Sequence, residues 1–242
     1  MKRIIIVAIG AGELEKIVRI LRLSNVDISC TVVIPTPGVD EVIKRYNLYP
    51  WNTYDKLPEI INNSYFDYVI VSDSRKVSGD KRRIIEELKR CKCPYRTIID
   101  VSDFHTGESL PLYNTLKNYL VEDNIEYEFF ITGVSHAYAG TDISKFSRNG
   151  LNLALTSQDL FLDYKLAEIV LSKKNHGIKY AIIGVAPFSL HYDLSISEAN
   201  DYRMMMYYPI IKCVHNYFIK EDIIKDIFSE DYLHSFDCFE KN

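Results

Sequence analysis

The sequence predicts an α/β protein made of two modules, each a parallel sheet between layers of helices. Runs of β-branched residues alternate with amphipathic helical stretches through the first hundred residues, and the same alternation restarts after residue 111. Successive β-α-β units imply right-handed crossovers and therefore parallel strands. The length of 242 residues suits one large or two small domains. We expect a first domain over residues 1–105 and a second over residues 106–242.

The first module is predicted to contain four strands and three helices. Residues 2–9 are a continuous β-branched run, which is typical of a strand buried on both faces. The next helix covers residues 13–23, because Leu14, Ile17 and Leu21 fall on one helical face. The same patterns predict strands over 28–34, 67–72 and 95–99, and helices over 39–46 and 80–91.

A glycine pair separates the first strand from the first helix. Gly10 and Gly12 resemble the opening of a dinucleotide-binding loop, in which backbone N–H groups approach a pyrophosphate at a helix N-terminus. The third glycine of that fingerprint is replaced by Glu15, and the second strand ends at Pro35 rather than at an acidic residue. Two interpretations stay open: a Rossmann-like nucleotide or nucleotide-sugar site at Gly10 and Gly12, or a turn that only reverses the chain.

The second module follows a segment, residues 101–111, that lacks periodicity and carries turn-forming residues. A serine, Ser157, is the expected N-cap of one of its helices. We predict a helix over 112–121, a strand over 126–132, a short strand within 149–155, a helix over 157–173, a buried strand over 179–185, a long helix over 197–218 kinked near Pro209, and a short helix over 222–228.

A sharp turn ends the first strand of this module. Gly133 permits the turn, and it places Ser135 at the carboxyl end of a parallel strand, where open α/β sheets bind ligands. The backbone N–H of Ser135 is then free to face a developing oxyanion. The sequence predicts a nucleophilic serine here, and the alternative is a serine that merely caps the next helix.

Amide and hydroxyl side chains follow in the next strand and at its carboxyl end. Asn152, Ser157 and Gln158 are candidates for contacting an oxyanion or a substrate, because sequential strands are often neighbours in a sheet.

Two candidate bases lie further along the chain. Asp231 and His234 form a D-x-x-H pair, and one helical turn brings such a carboxylate next to the imidazole that it orients. His191 follows the strand predicted over 179–185 and is the second candidate.

With these residues the sequence resembles the SGNH hydrolase superfamily, whose members carry a G-x-S block, amide oxyanion donors and a late D-x-x-H pair. Val134 stands where that block usually has aspartate. Residues 126–195 are more closely similar to bacterial proteins of surface-polysaccharide loci, which join a Rossmann-like domain to an SGNH-like one. The shared runs are F-F-I-T-G-V-S-H-A, N-L-A-L-T-S-Q-D-L-F-L-D-Y and Y-A-I-I-G-V-A-P-F-S.

The resemblance implies an SGNH-like or flavodoxin-like second module that hydrolyses or transfers an acyl ester on a carbohydrate. Ser135 would be the nucleophile, His234 with Asp231, or else His191, the base, and Asn152 or Gln158 an oxyanion donor. The rivals are a non-catalytic nucleotide- or nucleotide-sugar-binding module and a scaffold for other biosynthetic enzymes.

Composition and charge exclude several partners. The formal net charge is −4 and the basic residues are scattered, which provides no footprint for nucleic acid or an anionic lipid surface. The apolar runs are shorter than the roughly 18 residues of a spanning helix, so we expect a cytoplasmic chain without membrane insertion.

Neither the five cysteines nor the six histidines show metal-ligand spacing, and no cofactor is required. The Y-R-M-M-M-Y-Y run at residues 202–208 suits a surface that is covered, either by the other domain or by a second copy in a homo-oligomer.

Overall fold

The computed structural model describes residues 1–73, 80–94, 97–101, 109–121, 126–197, 203–216 and 225–229. The chain forms two compact units. Of the described residues, 1–101 and 225–229 belong to the first unit, and 109–121, 126–197 and 203–216 belong to the second. Each unit contains a parallel sheet with helices, so the predicted α/β class is confirmed.

The first unit has a five-stranded parallel sheet with the order β3-β2-β1-β4-β5. Its central strand pairs with β2 on one side and β4 on the other, and its residues from Ile4 to Ile9 are buried. The chain order reverses at this strand, which makes the carboxyl ends of β1 and β4 a topological switch point. The strands are β1 (Lys2–Ile9), β2 (Val26–Ile34), β3 (Trp51–Thr53), β4 (Tyr68–Ser72) and β5 (Ile98–Asp100).

In the described part of this unit, the sheet is accompanied by the helices α1 (Ala11–Ile20), α2 (Val39–Tyr46), α3 (Leu57–Asn63) and α4 (Asp80–Arg90). The sequence patterns predict neither β3 nor α3, because elements of three and seven residues are too short to show a period. The helix predicted to reach residue 23 ends at Ile20, since Leu21 is extended and bridges to Phe228 in antiparallel pairing.

The segment 225–229 belongs to the first unit, which corrects the expectation that residues 106–242 form one module. The Arg22 N–H donates to the Ile227 carbonyl at 2.8 Å, and the Ser229 N–H donates to the Ile20 carbonyl at 2.8 Å. These bonds extend the backbone pairing around Leu21, a contact between distant parts of the chain that no local pattern signals.

The second unit has a three-stranded parallel sheet with the order β7-β6-β8. The prediction that the first two strands of this module are neighbours is confirmed, since Ile131 is in register with Asn152. The strands are β6 (Phe129–Gly133), β7 (Gly150–Asn152) and β8 (Tyr180–Gly184), and the helices are α5 (Ser109–Val121), α6 (Ser135–Gly140), α7 (Leu160–Ser172) and α8 (Met204–Ile211). No helix formed by the described residues is long and apolar enough to span a bilayer.

Two predictions for this unit are wrong. The apolar run over 179–185 does not form a buried strand: β8 is at the edge of the sheet, and Ile183 is 52% exposed. Apolar composition alone does not distinguish an edge strand from a central one. The predicted helix over 197–218 is instead the shorter α8, which ends where Lys212 takes a left-handed conformation. Residues 198–202, 217 and 218 lie outside the described residues.

Candidate active site

Ser135 is the first residue of α6 and follows the central strand β6 by two residues. The turn depends on Gly133, whose φ of 131° is strained for other residues. A Cβ at Gly133 would also lie only 2.5 Å from the Gly184 carbonyl oxygen. Val134 is buried, and its carbonyl accepts from the Ala137 N–H at 2.8 Å. The turn therefore places a half-buried serine at the carboxyl edge of the sheet, as predicted.

A cavity of about 460 Å³ lies beside this turn. Val134 and His136, which flank Ser135 in the sequence, are among its lining residues. The opposite side is the turn after β8, which is fixed by the Ala186 N–H donating to the Ser189 hydroxyl at 3.0 Å. The other lining residues are Ile131, Ala137, Thr141, Ile182, Gly184, Val185, Ala186, Pro187 and Phe188. Because aliphatic and aromatic side chains predominate, the cavity suits an apolar group.

The structure does not bring a base to Ser135 within the part of the chain that it describes, where no hydrogen bond joins the serine hydroxyl to an imidazole. His191 is exposed in the turn after β8, and its backbone N–H donates to the Phe188 carbonyl at 3.0 Å. Asp231 and His234 lie outside the described residues. The identity of the base therefore stays a prediction.

The predicted oxyanion donors separate into two groups. Asn152 ends β7 beside β6, and its Oδ1 accepts from the Ala154 N–H at 3.1 Å, which fixes the orientation of the amide. Gln158, by contrast, is fully buried, which does not favour its predicted contact with an oxyanion or a substrate. Its Nε2 donates to Asp163 at 2.6 Å, and its Oε1 accepts from the Tyr207 hydroxyl at 3.0 Å. Both ends of this amide are satisfied inside the core.

Ser157 is not the N-cap of α7. It occupies a left-handed turn with φ of 62°, half-buried, two residues before the true cap. That cap is Asp159, whose Oδ1 accepts from the Leu162 N–H at 2.9 Å. The Asp159 Oδ2 also accepts from the Leu194 N–H at 2.8 Å, so this one carboxylate joins two segments.

Asp163 is a buried carboxylate that the sequence pattern does not single out. It lies on the buried face of α7 with Leu166 and Val170, and only 5% of it is exposed. Burial raises the pKa of the Asp163 carboxyl from 3.8 to about 6, against the opposing effect of the hydrogen bond from the Gln158 amide. A charged residue at helical spacing from apolar ones was the available signal.

Asp159, Asp193 and His215 place their ligand atoms within 4.8 Å of one another. His215, for which the sequence favours a surface or packing role, stacks on Phe161 with ring centroids 4.2 Å apart. Asp159 already accepts two backbone N–H groups, and Asp193 accepts from the Ser195 N–H at 2.9 Å and from Asn216 at 2.9 Å. Because their oxygens are engaged by the chain itself, we interpret the group as the fixation of a loop rather than a metal centre.

Side chains of the first unit occupy the space around the glycine turn at Gly10 and Gly12. Thr36 covers Gly10, since a Cβ there would lie 2.9 Å from the Thr36 Oγ1, and the Ala11 N–H donates to that oxygen at 3.0 Å. The Ser72 hydroxyl donates to Glu13 in the first turn of α1. Nothing lies within 4 Å of a Cβ added at Gly12. These contacts favour the chain-reversal interpretation over a pyrophosphate site, because a carboxylate already lies at the positive end of the helix.

Comparison with known proteins adds no relationship. No family model matches the chain, and neither a curated protein nor a solved structure matches it.

Proposed function

We propose that the second unit is a serine-dependent esterase or O-acyltransferase with Ser135 as its nucleophile. The observation that supports this most is the position of Ser135 at the carboxyl end of a central parallel strand, on a turn that requires Gly133, beside an apolar cavity of about 460 Å³. The surface-polysaccharide setting and the carbohydrate substrate rest on the sequence resemblance alone.

In this mechanism the Ser135 hydroxyl oxygen attacks the ester carbonyl while its proton passes to a base. The carbonyl oxygen becomes an oxyanion, which the Ser135 N–H and the Asn152 amide stabilise. Collapse of the tetrahedral intermediate releases the alcohol, which takes a proton from the conjugate acid of the base. Water or an acceptor hydroxyl then attacks the acyl-serine by the same sequence and restores the free serine.

The lining of the cavity supports a proposed placement of the two halves of the substrate. Val134, Ala137 and Phe188 provide an apolar wall that suits a short acyl chain, whereas a carbohydrate is too polar to be buried there without hydrogen-bonding partners. The sugar hydroxyl would then be held on the solvent side of Ser135.

The base in this proposal is His191, which belongs to the same unit as Ser135, and the sequence-predicted pair of Asp231 and His234 is tested beside it. Both histidines are carried forward from the sequence, and the assignment needs separate variants because a serine without a base is a weak nucleophile.

The test is a comparison of Ser135→Ala with the wild type, using Ser147→Ala as the control because Ser147 is an exposed serine of the same unit. We expect the wild type to hydrolyse p-nitrophenyl acetate and butyrate and to label with a fluorophosphonate on the peptide that contains Ser135. The Ser135→Ala variant should lose both, with turnover falling about 1,000-fold or more.

His234→Ala and His191→Ala identify the base, since the base variant should match the loss in Ser135→Ala. A wild type that neither labels nor turns over any ester, or a Ser135→Ala variant with unchanged turnover, overturns the proposal. A thermal shift with nucleotides or nucleotide sugars, in the absence of ester turnover, would instead favour the binding-module rival.

A further inference from the structure

Strand β8 exposes apolar side chains at the edge of the second sheet. Within the described part of the second unit, β8 pairs with β6 alone. Its large side chains are between 40% and 58% exposed and alternate between the two faces of the sheet: Tyr180, Ile182, Ile183 and Val185. The turn that follows adds Phe188 and Leu190, which are 49% and 73% exposed. The unit therefore presents an apolar surface along this edge.

The main chain of β8 also offers hydrogen-bonding groups at this edge. The Tyr180 N–H donates to the Glu128 carbonyl at 3.2 Å, so the peptide groups of Tyr180 are directed at β6. Successive residues of a strand direct their peptide groups to opposite sides, so those of Ala181 and Ile183 are directed outward. These two residues can each exchange an N–H and a C=O bond with another strand.

The composition of β8 is that of a strand between two others. No charged residue occurs from Tyr180 to Leu190, and β8 itself contains no proline. Edge strands of monomeric proteins usually carry charges, prolines or bulges that prevent pairing with another chain. A strand that is apolar on both faces is instead typical of the interior of a parallel sheet. The sequence of β8 therefore suits a strand whose outer side is covered.

We propose that β8 pairs with β8 of a second copy of this chain, in antiparallel orientation about a two-fold axis at Ile182. The two three-stranded sheets then form one continuous sheet. In this register Ala181 lies opposite the partner's Ile183, and the outward peptide groups of these residues bond to each other. Ile182 lies opposite the partner's Ile182 as a pair without mutual main-chain hydrogen bonds.

The strand is complementary to its own copy in size and charge. The small Ala181 faces a large Ile183, and Gly184 faces the ring of the partner's Tyr180, an arrangement in which an aromatic side chain covers a glycine. Lys179, which precedes β8, faces Val185, so no like charges oppose each other across the axis.

The area of this edge is close to what a stable dimer needs. The exposed fractions of the six large apolar side chains correspond to roughly 600 Å² of surface, the size of the largest apolar patches on monomeric proteins. Each partner of a stable complex contributes about 800 Å², and the outward peptide groups of β8 add to the side-chain area. Two-fold dimers are also the commonest assemblies of identical chains. These observations favour a second copy as the partner.

The first test is sedimentation velocity of the full-length protein at about 20 µM, because the dimer population depends on concentration. We expect the wild type to sediment as a dimer of the 28.1 kDa chain. Ile183→Lys should raise the dissociation constant of the dimer about 100-fold or more, since it places a charge in the apolar pairing and brings two lysines together across the axis. Leu171→Lys is the matched control and should stay dimeric, because Leu171 is 47% exposed on α7. Circular dichroism checks that both variants are folded.

The second test measures the register through a disulfide. Ile182→Cys places two thiols opposite each other with Cα atoms about 4.5 Å apart, which a disulfide can span. Val185→Cys separates the two thiols by about 20 Å along the strands. After mild oxidation, Ile182→Cys should give a reducible covalent dimer on a denaturing gel. Val185→Cys should match the wild type, which reports the background from the native cysteines.

Three results overturn the proposal: a monomeric wild type, a dimer that Ile183→Lys leaves unchanged, and an Ile182→Cys variant that links no better than the wild type. If the wild type is monomeric and the Ala181 and Ile183 amides are still protected from hydrogen exchange, another segment of the chain covers the edge instead. None of these measurements uses ester turnover, so the dimer is tested separately from the proposed function.

Discussion

Asp163→Asn should make the protein more stable at neutral pH, although Asp163 is a buried and hydrogen-bonded polar residue. The pKa of this carboxyl is about 6 in the folded protein, against an ordinary value of 3.8. That difference corresponds to about 3 kcal/mol in the free energy of unfolding, as an upper limit. The folded state binds the proton more tightly than the unfolded chain, so stability contributed by the neutral carboxyl is fully present below pH 4 and is lost as the pH rises through 6. Asparagine cannot ionise and so avoids this loss.

The assay is urea unfolding followed by far-UV circular dichroism at several values between pH 4.5 and 8, with hydrogen exchange of the β6 amides reporting on the second unit. The stability advantage of Asp163→Asn over the wild type should be largest at pH 8, up to about 3 kcal/mol, and should shrink towards pH 4.5. Asp142→Asn is the control, because Asp142 is an exposed carboxylate of the same unit. A difference between Asp163→Asn and the wild type that does not change with pH would refute the reasoning.

Two further predictions concern the backbone around the candidate site. Gly133→Ala should destabilise the second unit by about 3 kcal/mol or more, because alanine is strained at this φ and its Cβ would lie 2.5 Å from the Gly184 carbonyl oxygen. Gly140→Ala is the control and should cost less, because a Cβ at Gly140 has no atom within 4 Å. Equal urea midpoints for the two alanine variants would contradict this account. Asp159→Ala should cost about 1–2 kcal/mol, because two backbone N–H groups lose their acceptor, and Asp159→Asn should cost less since it keeps one. Thermal unfolding of the wild type and the two variants checks this order of stabilities. An Asp159→Ala variant that is as stable as the wild type would show that the cap is dispensable.

Much of the secondary structure could be predicted because each element carries its own period. β1 has the predicted bounds of residues 2–9, and α2 those of residues 39–46. The Ser135 turn could also be predicted from the sequence, because a glycine and the start of a helix directly follow an apolar strand. These are local features that a few neighbouring residues specify.

The site beyond that turn was harder to predict, because its members depend on burial. Gln158 and Asn152 are both amides near the end of β7, and only the packing of α7 and α8 shows that the first is enclosed and the second is at the sheet edge. Asp163 was passed over for the converse reason, since a carboxylate within a helix is usually at the surface.

The sequence alone determined the alternation of strands and helices, hence the parallel sheets, and the place where Ser135 leaves β6. The period of the apolar residues distinguishes a helix from a strand and shows which side of it is apolar, so it is sufficient to predict these elements. The tertiary structure decided that β8 is an edge strand, that residues 225–229 pair beside Leu21, and that the Asp163 carboxylate is buried. Each of these features depends on which distant segment of the chain buries a residue. Burial determines both the exposure of an apolar side chain and the pKa of a carboxyl group.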